Sequence, residues 1–302
     1  MELSRRDILA SMAAAGATQV AARPSAASVA QRAADPFGVL VDLTACIGCR
    51  KCEWACNQVN HLPAVPVQAF EDASVFASLR RPDASHYTVV NRFPGAGEDD
   101  KPVFVKAQCM HCDDPACCSA CIVSALEKQP DGAVTYTAWR CMGCRYCMVV
   151  CPFQVPAYEY FNATTPQVRK CTFCHERISQ EGKLPACVEI CPPQCLTFGR
   201  RSELLALAHR RIAGGSGRYT DHVYGESEVG GTSWLYLSGI EFSELGFPVL
   251  GDAAPPRLTE SLQHGVFKDF IPPLALFGAL TAIVRLFRPD GEKPPAGEGR
   301  QP

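Results

Sequence analysis

The middle of the chain carries four runs of cysteines whose spacing suits iron–sulfur chemistry. The sixteen cysteines are Cys46, Cys49, Cys52 and Cys56 in motif I, Cys109, Cys112, Cys117 and Cys121 in motif II, Cys141, Cys144, Cys147 and Cys151 in motif III, and Cys171, Cys174, Cys187 and Cys191 in motif IV. A cubane [4Fe–4S] cluster takes one thiolate per iron, and in two-cluster ferredoxins the fourth cysteine of a run ligates the other cluster. The pattern therefore predicts sixteen ligands for four clusters, and hence electron transfer.

Other uses of paired cysteines compete with this interpretation. Cys-x-x-Cys pairs such as Cys171 and Cys174 resemble halves of zinc sites, so a structural zinc protein is the alternative of a different class. A disulfide scaffold is a second alternative. In motifs I and III, successive cysteines are three, three and four residues apart, and Pro152 directly follows Cys151. This spacing is unusual for zinc sites. Covalent haem at Cys171-Thr-Phe-Cys174-His175 would leave other motif cysteines without a use, whereas cluster ligation accounts for all of them.

Two cysteines and two histidines lie beside the motifs without belonging to them. Cys118 and Cys195 are left over from the four sets. A buried free cysteine behaves as a small hydrophobic residue, and this role is predicted for both. His111 and His175 are predicted to be polar neighbours of the clusters.

The composition narrows the function further. The chain has 302 residues, 18 cysteines and a formal net charge of -2. This charge excludes a strongly basic nucleic-acid-binding protein. The sequence contains no glycine-rich dinucleotide fingerprint, P-loop or paired-carboxylate signature. We therefore predict no nucleic-acid partner, no organic substrate and no catalytic residue in this chain.

The segments around the motifs predict an α+β fold built from two ferredoxin-like dicluster modules, with short strands and helices. Alternating apolar residues and turn signals predict strands at 38–42, 86–93, 102–106, 132–136 and 196–198. The pair flanking Gly95-Ala-Gly97 reads as a hairpin. Ser202 is predicted to cap a helix that ends near Arg211, and 213–267 is predicted to be loop.

Both ends of the chain resemble targeting segments. Ser4-Arg5-Arg6 followed by an alanine-rich apolar stretch resembles a twin-arginine export signal. The apolar, charge-free run from Phe270 to Val284 predicts one C-terminal transmembrane helix, with following basic residues on the cytoplasmic side. A helix buried against the protein or a partner is the alternative. The predicted organisation is a signal region at 1–34, a four-cluster ferredoxin-like domain at 36–200, a helix and extended loop segment at 201–267, a transmembrane anchor at 268–288 and a cytoplasmic tail at 289–302.

Four segments carry a resemblance to a known family: Cys46-Ile-Gly-Cys-Arg-Lys-Cys52, Cys109-Met-His-Cys-Asp-Asp-Pro-Ala-Cys117, Cys141-Met-Gly-Cys-Arg-Tyr-Cys147 with Cys151-Pro-Phe153, and Lys170-Cys-Thr-Phe-Cys174. They resemble the four-cluster ferredoxin-type electron-transfer subunits of respiratory oxidoreductases. Within that family the export signal, the anchor and the segment 223–236 are most similar to the HybA-type iron–sulfur subunits of periplasmic [NiFe]-hydrogenase 2 and to formate dehydrogenase beta subunits.

The resemblance implies crossed ligation between motifs. The implied sets are Cys46, Cys49, Cys52 with Cys191; Cys171, Cys174, Cys187 with Cys56; Cys109, Cys112, Cys117 with Cys151; and Cys141, Cys144, Cys147 with Cys121. It also implies the partners, which are a catalytic subunit of the hydrogenase or molybdopterin type and an integral membrane quinone-reactive or cytochrome subunit. The expected location is the periplasmic face of the bacterial cytoplasmic membrane.

Overall fold

The structure is a computed structural model that describes residues 35–95, 101–256 and 277–283. The chain divides into two units, Met1–Ala254 and Pro255–Pro302. The strands of the first unit are β1 (Phe37–Asp42), β2 (Thr88–Phe93), β3 (Val103–Gln108), β4 (Leu126–Lys128), β5 (Val134–Tyr136), β6 (Ala157–Tyr158), β7 (Val168–Arg169), β8 (Leu196–Arg200) and β9 (Trp234–Leu237). Its α-helices are α1 (Lys51–Val59), α2 (Ala116–Ser119), α3 (Tyr146–Val150), α4 (His175–Ser179), α5 (Ala186–Glu189) and α6 (Arg201–Gly214). This mixture of short helices and strands confirms the predicted α+β class.

A three-stranded sheet in the order β8-β1-β9 organises the core. Strand β1 pairs antiparallel with β8 and parallel with β9, so that Val39 lies opposite both Phe198 and Trp234. Val39, Leu40 and Val41 are fully buried. A strand that is covered on both faces can be apolar at every position, which explains the continuous hydrophobic run of β1.

Strand β9 contradicts the loop predicted for 213–267. Its four residues, Trp234–Leu237, are all buried and pair with β1. A short apolar run cannot be assigned from periodicity alone, and Gly230, Gly231 and Ser238 flank this one closely. Only the pairing with β1, almost 200 residues earlier in the chain, makes the segment a strand.

Helix α6 begins close to the predicted position, but Ser202 is not its cap. The N-cap residue is Arg200, whose side chain makes no capping hydrogen bond. Ser202 instead donates its backbone N–H to Asp35 Oδ1 at 3.0 Å and its hydroxyl to Asp35 Oδ2 at 2.7 Å. These bonds lower the pKa of Asp35. A carboxylate from the start of the domain thus occupies the positive end of the helix.

The hairpin predicted around Gly95 is confirmed as β2 and β3. These strands pair antiparallel, from Thr88 opposite Gln108 to Phe93 opposite Val103. Residues 96–100 of the connection lie outside the described residues. Two smaller hairpins, β4 with β5 and β6 with β7, follow the same antiparallel pattern.

Glu53 ties the motif I helix to this hairpin. Its carboxylate is fully buried and accepts the backbone N–H of Val90 at 2.7 Å. Arg80 donates to both carboxylate oxygens, at 2.6 and 3.1 Å, and Arg50 adds an ion pair at 3.3 Å. Arg50 also donates to the carbonyl of Phe70. One acidic side chain therefore fixes α1 against β2.

The predicted signal region at 1–34 and the predicted tail at 289–302 lie outside the described residues. Of the predicted anchor at 268–288, only 277–283 are described, and these residues are helical and exposed. Among the described residues, no helix combines the length and the apolar character needed to cross a bilayer.

We expect Glu53→Ala to destabilise the domain by about 3–5 kcal/mol, because it leaves the buried Arg50 and the partly buried Arg80 without their carboxylate. The measurement is the denaturant midpoint of the anaerobically purified protein, followed by circular dichroism. Glu127→Ala is the matched control, since the Glu127–Arg140 pair is 41% and 37% exposed and should contribute less than about 1 kcal/mol. Equal effects of the two substitutions would contradict the role given to Glu53.

Candidate metal-cluster sites

Cavity A is lined by cysteines from motifs I and IV. They are Cys46, Cys49, Cys52 and Cys191. The walls of this cavity also include Cys195, Lys106 and Val41. Four thiols that are spread over 146 positions of sequence thus converge on one enclosed space.

Cavity B shares Lys106 with cavity A and has the same kind of lining. Its cysteines are Cys56, Cys171, Cys174 and Cys187. Trp234, Phe173 and Lys106 form part of its wall. Cavities A and B are therefore lined by two of the cysteine sets that the family resemblance implies.

The remaining cysteines bring thiols of motifs II and III close to one another. Burial and the nearby thiols of Cys109, Cys117 and Cys151 raise the pKa of Cys112. Burial raises the pKa of Cys147 to about 12, with contributions from neighbouring thiols. These neighbours are Cys117, Cys141, Cys144 and Cys121. The fourth cysteine of motif III, Cys151, thus lies near Cys109 and Cys117 of motif II. The fourth cysteine of motif II, Cys121, lies near Cys147 of motif III.

Motifs I and III share a backbone conformation that explains how their loops wrap around a site. Gly48 and Gly143, at equivalent positions, have φ values of 70° and 74°. Arg50 and Arg145 follow in the left-handed region, and a helix begins at the next residue in each case. Glycine adopts positive φ without steric cost, so the Cys-x-Gly-Cys sequence permits the sharp turn between successive ligands.

Motifs II and IV share a different local structure, built on the sequence Pro-Ala-Cys. Pro115 and Pro185 precede the short helices α2 and α5, which carry Cys117 and Cys187. The proline carbonyls accept equivalent hydrogen bonds, from the N–H of Cys118 in one motif and of Val188 in the other, both at 2.9 Å. The proline fixes φ for the turn, and the helix then presents its cysteine to the site.

The turn after the fourth cysteine repeats in three motifs. Ser124, Gln154 and Gln194 each lie three residues beyond that cysteine and have φ values of 49°, 52° and 50°. In each case the backbone N–H donates to the carbonyl of the cysteine, at 2.9 to 3.2 Å. The repeat is thus visible in backbone geometry as well as in spacing.

The raised pKa values of the buried thiols indicate that positive charge must accompany their thiolate forms. All eighteen cysteines are free thiols, and Cys144 is the exposed one. Burial raises the pKa of Cys171 to about 12, that of Cys151 to about 12 and that of Cys174 to about 11. Four thiolates can share such an apolar site only if positive charge accompanies them, and the irons of a cubane supply it.

No group of three or more histidine, cysteine, aspartate or glutamate side chains in the described part of the chain stands at the separations that hold a single metal ion. In a cubane the four thiolates bind four different irons, which sets them farther apart than the ligands of one ion. Cavity A is lined by Cys46, Cys49, Cys52 and Cys191, and cavity B by Cys56, Cys171, Cys174 and Cys187, so each includes the four cysteines that a cubane takes.

Cys195 has a more specific position than the small hydrophobic role predicted for it. It is buried, as expected, but it lines cavity A, and its Sγ lies 3.4 Å from that of Cys191. This contact lowers the pKa of Cys191 to about 6. The sequence signal for this position was the spacing, since Cys195 follows Cys191 by four residues. Cys118 is partly buried and packs near Cys117.

The two histidines beside the motifs are held by polar contacts to other segments. His111 is fully buried, and its Nδ1 accepts the backbone N–H of Val134 at 2.8 Å. Burial lowers the pKa of His111, so this histidine is neutral. His175 Nδ1 lies 2.6 Å from Asp131 Oδ2. Both side chains fix loops around the thiols.

Comparison with known proteins places these sites in a family. A profile of the 4Fe-4S dicluster domain matches residues 101–201. A protein of Nitratidesulfovibrio vulgaris strain Hildenborough is 53% identical over 290 residues, covering 94% of this chain and 78% of that protein. The hydrogenase-2 operon protein HybA of Escherichia coli O157:H7 is 35% identical over 315 residues, covering 94% and 95% of the two chains. The iron–sulfur subunit of the nitrate-inducible formate dehydrogenase of Escherichia coli K12 is 32% identical over 254 residues, covering 82% of each chain.

The chain belongs to the family of HybA and formate dehydrogenase iron–sulfur subunits. The predicted resemblance is thereby confirmed. Membership also supports 4Fe-4S clusters as the cofactor type, since the matched dicluster domain contains motifs II, III and IV. In this family of iron–sulfur subunits the chain has the role of electron transfer.

We expect Gly48→Ala to reduce the iron content by about four atoms per chain, the complement of one cubane. A Cβ at Gly48 would lie 2.4 Å from the ring of Phe104, and the ring or the ligand loop would have to move. Gly182→Ala is the control, because φ is also positive there, at 62°, with no atom within 4 Å. Both changes cost about 1–2 kcal/mol of backbone strain. Equal iron contents in the two variants would contradict a role for the Phe104 contact.

Proposed function

We propose that the chain is a non-catalytic electron-transfer subunit that relays single electrons through four [4Fe–4S] clusters. The observation that carries this proposal is the convergence of cysteines from separate motifs in cavities A and B. The proposed ligand sets are Cys46, Cys49, Cys52 and Cys191; Cys56, Cys171, Cys174 and Cys187; Cys109, Cys112, Cys117 and Cys151; and Cys121, Cys141, Cys144 and Cys147. Clusters bound by these sets would form a chain of sites through one folded unit.

Exposed apolar side chains in and beside motifs II and III support a protein partner at one end of this relay. They are Ile122, Trp139, Met142, Tyr146 and Val149, which are 51–82% exposed. The exposed ligand candidate Cys144 belongs to motif III. Apolar side chains that cluster on a surface indicate an interaction site, and a partner that covers them would bring its own redox centre close to this cluster.

The proposed partners are a catalytic oxidoreductase subunit and an integral membrane subunit of the quinone-reactive or cytochrome type. We propose a hydrogenase as the catalytic partner, because the match to HybA covers 95% of that protein while the match to the formate dehydrogenase subunit covers 82%. A formate dehydrogenase or related molybdopterin enzyme is the alternative. Export by the twin-arginine route and a C-terminal anchor at 268–288 would hold the chain on the periplasmic face of the membrane.

The test is anaerobic co-purification of the full chain from membranes, with identification of the bound subunits. We expect about four irons and four sulfides per cluster, for four clusters, and reduction of the clusters by the substrate of the co-purified catalytic subunit. Zinc without sulfide would instead establish the structural zinc protein. Substrate turnover by the isolated chain would contradict a non-catalytic role.

The crossed ligand sets predict the effect of Cys151→Ser. Cys151 is assigned to the cluster of Cys109, Cys112 and Cys117. The low-temperature EPR spectrum of the Cys151→Ser variant should therefore differ from the wild-type spectrum in the same way as the spectrum of Cys112→Ser. Cys118→Ser, which alters a cysteine outside the four sets, should retain all clusters. A Cys151→Ser spectrum that matches Cys144→Ser would show that the motif ligates its own cluster and would refute the crossed assignment.

A further inference from the structure

Lys106, in β3, is a buried lysine that faces both cavity A and cavity B. Lys106 is only 3% exposed. The ammonium donates to Thr88 Oγ1 at 2.7 Å and to Gln108 Oε1 at 2.9 Å, and lies 4.6 Å from the centroid of the Trp234 ring. All three partners are neutral.

A desolvated ammonium requires negative charge nearby. Lys106 shares the walls of the two cavities with the cysteines: Cys52 stands with it in cavity A, and Cys171 and Cys187 stand with it in cavity B. Burial raises the pKa of several thiols in the two cavities, and the Lys106 charge opposes that rise. The thiols concerned are Cys52 in cavity A and Cys56, Cys171, Cys174 and Cys187 in cavity B. One cation therefore acts on both sets.

We propose that the Lys106 ammonium is a shared positive charge that raises the reduction potentials of the clusters in cavities A and B together. This inference rests on the proposed function, because it requires a cluster in each cavity. A cubane gains one negative charge when it accepts an electron, and a fixed cation in a low-dielectric site favours that reduced state.

The shared position has a consequence for electron transfer between the two clusters. One electron leaves the reduced cluster of one cavity and enters the oxidised cluster of the other, with no bond made or broken. Because Lys106 faces both cavities, it stabilises the electron on either side. The charge thus raises both potentials without creating a large difference between them.

The test is an EPR-monitored redox titration of Lys106→Met in the full chain, purified anaerobically. Methionine keeps the length of the side chain and removes the charge. We expect two of the four midpoint potentials to shift to lower values, and these two signals to be the ones that Cys49→Ser and Cys174→Ser remove. The matched control is Lys51→Met, which removes an exposed charge next to Cys52 in sequence and should leave all four potentials at their wild-type values.

Iron and sulfide contents of the same samples separate the possible results. Full content with unchanged potentials, or with a shift of one cluster only, would overturn the shared role of Lys106 and leave the proposed function intact. If Lys106→Met fails to retain the two clusters, Lys106→Arg should restore them with potentials close to wild type, because the charge is kept. Failure of Lys106→Arg as well would assign Lys106 to packing. Wild-type protein without iron would refute the proposed function itself.

Discussion

The burial of cysteine thiols in an apolar interior is the constraint that shapes this domain. A thiolate loses its hydration in such a place, and several thiolates in one cavity also repel one another. Burial accordingly raises the pKa of Cys171 to about 12 and that of Cys174 to about 11. Positive charge has to enter with the sulfur atoms, and iron is the source that suits four cysteines per site. The rest of the fold brings these thiols together and shields them from water.

The shield is built from segments that are distant in sequence. Strand β1 precedes motif I, β8 follows motif IV, and β9 lies farther downstream, yet all three form one sheet. Trp234 of β9 reaches the wall of cavity B and also contacts the Lys106 ammonium. The segment after the last cysteine motif is therefore part of the structure that encloses the cysteines. Loss of β9 would expose both the sheet and the cavity wall.

The interior and the surface of the domain differ in where charged side chains lie. Glu53 and Arg50 are buried where Glu53 fixes α1 against the hairpin, and the buried Lys106 lines both cysteine cavities. Several apolar side chains in and beside motif III are instead exposed. Buried charges thus serve the fold and the thiols, whereas the exposed apolar side chains are suited to contact another protein. Such a division matches a subunit that works between partners.

The sequence by itself determined the identity of the thiols, the local turns and the family. Spacing alone selected the sixteen cysteines, and the Cys-x-Gly-Cys and Pro-Ala-Cys sequences dictate the loop and helix that present them, because these are effects of neighbouring residues on the backbone. The strands β1, β2, β3, β5 and β8 were predicted for the same reason, since alternating or continuous apolar runs are local signals.

The tertiary structure decided what depends on contacts between distant residues. Strand β9 exists because β1 offers a pairing edge, and the cap of α6 comes from Asp35 rather than from Ser202. The burial of Glu53, the 3.4 Å contact of Cys195 with Cys191 and the place of Lys106 between two cavities were likewise invisible in sequence. These features share one physical reason. The energy of a buried charge, an unpaired strand edge or a thiol depends on the groups that the folded chain packs around it.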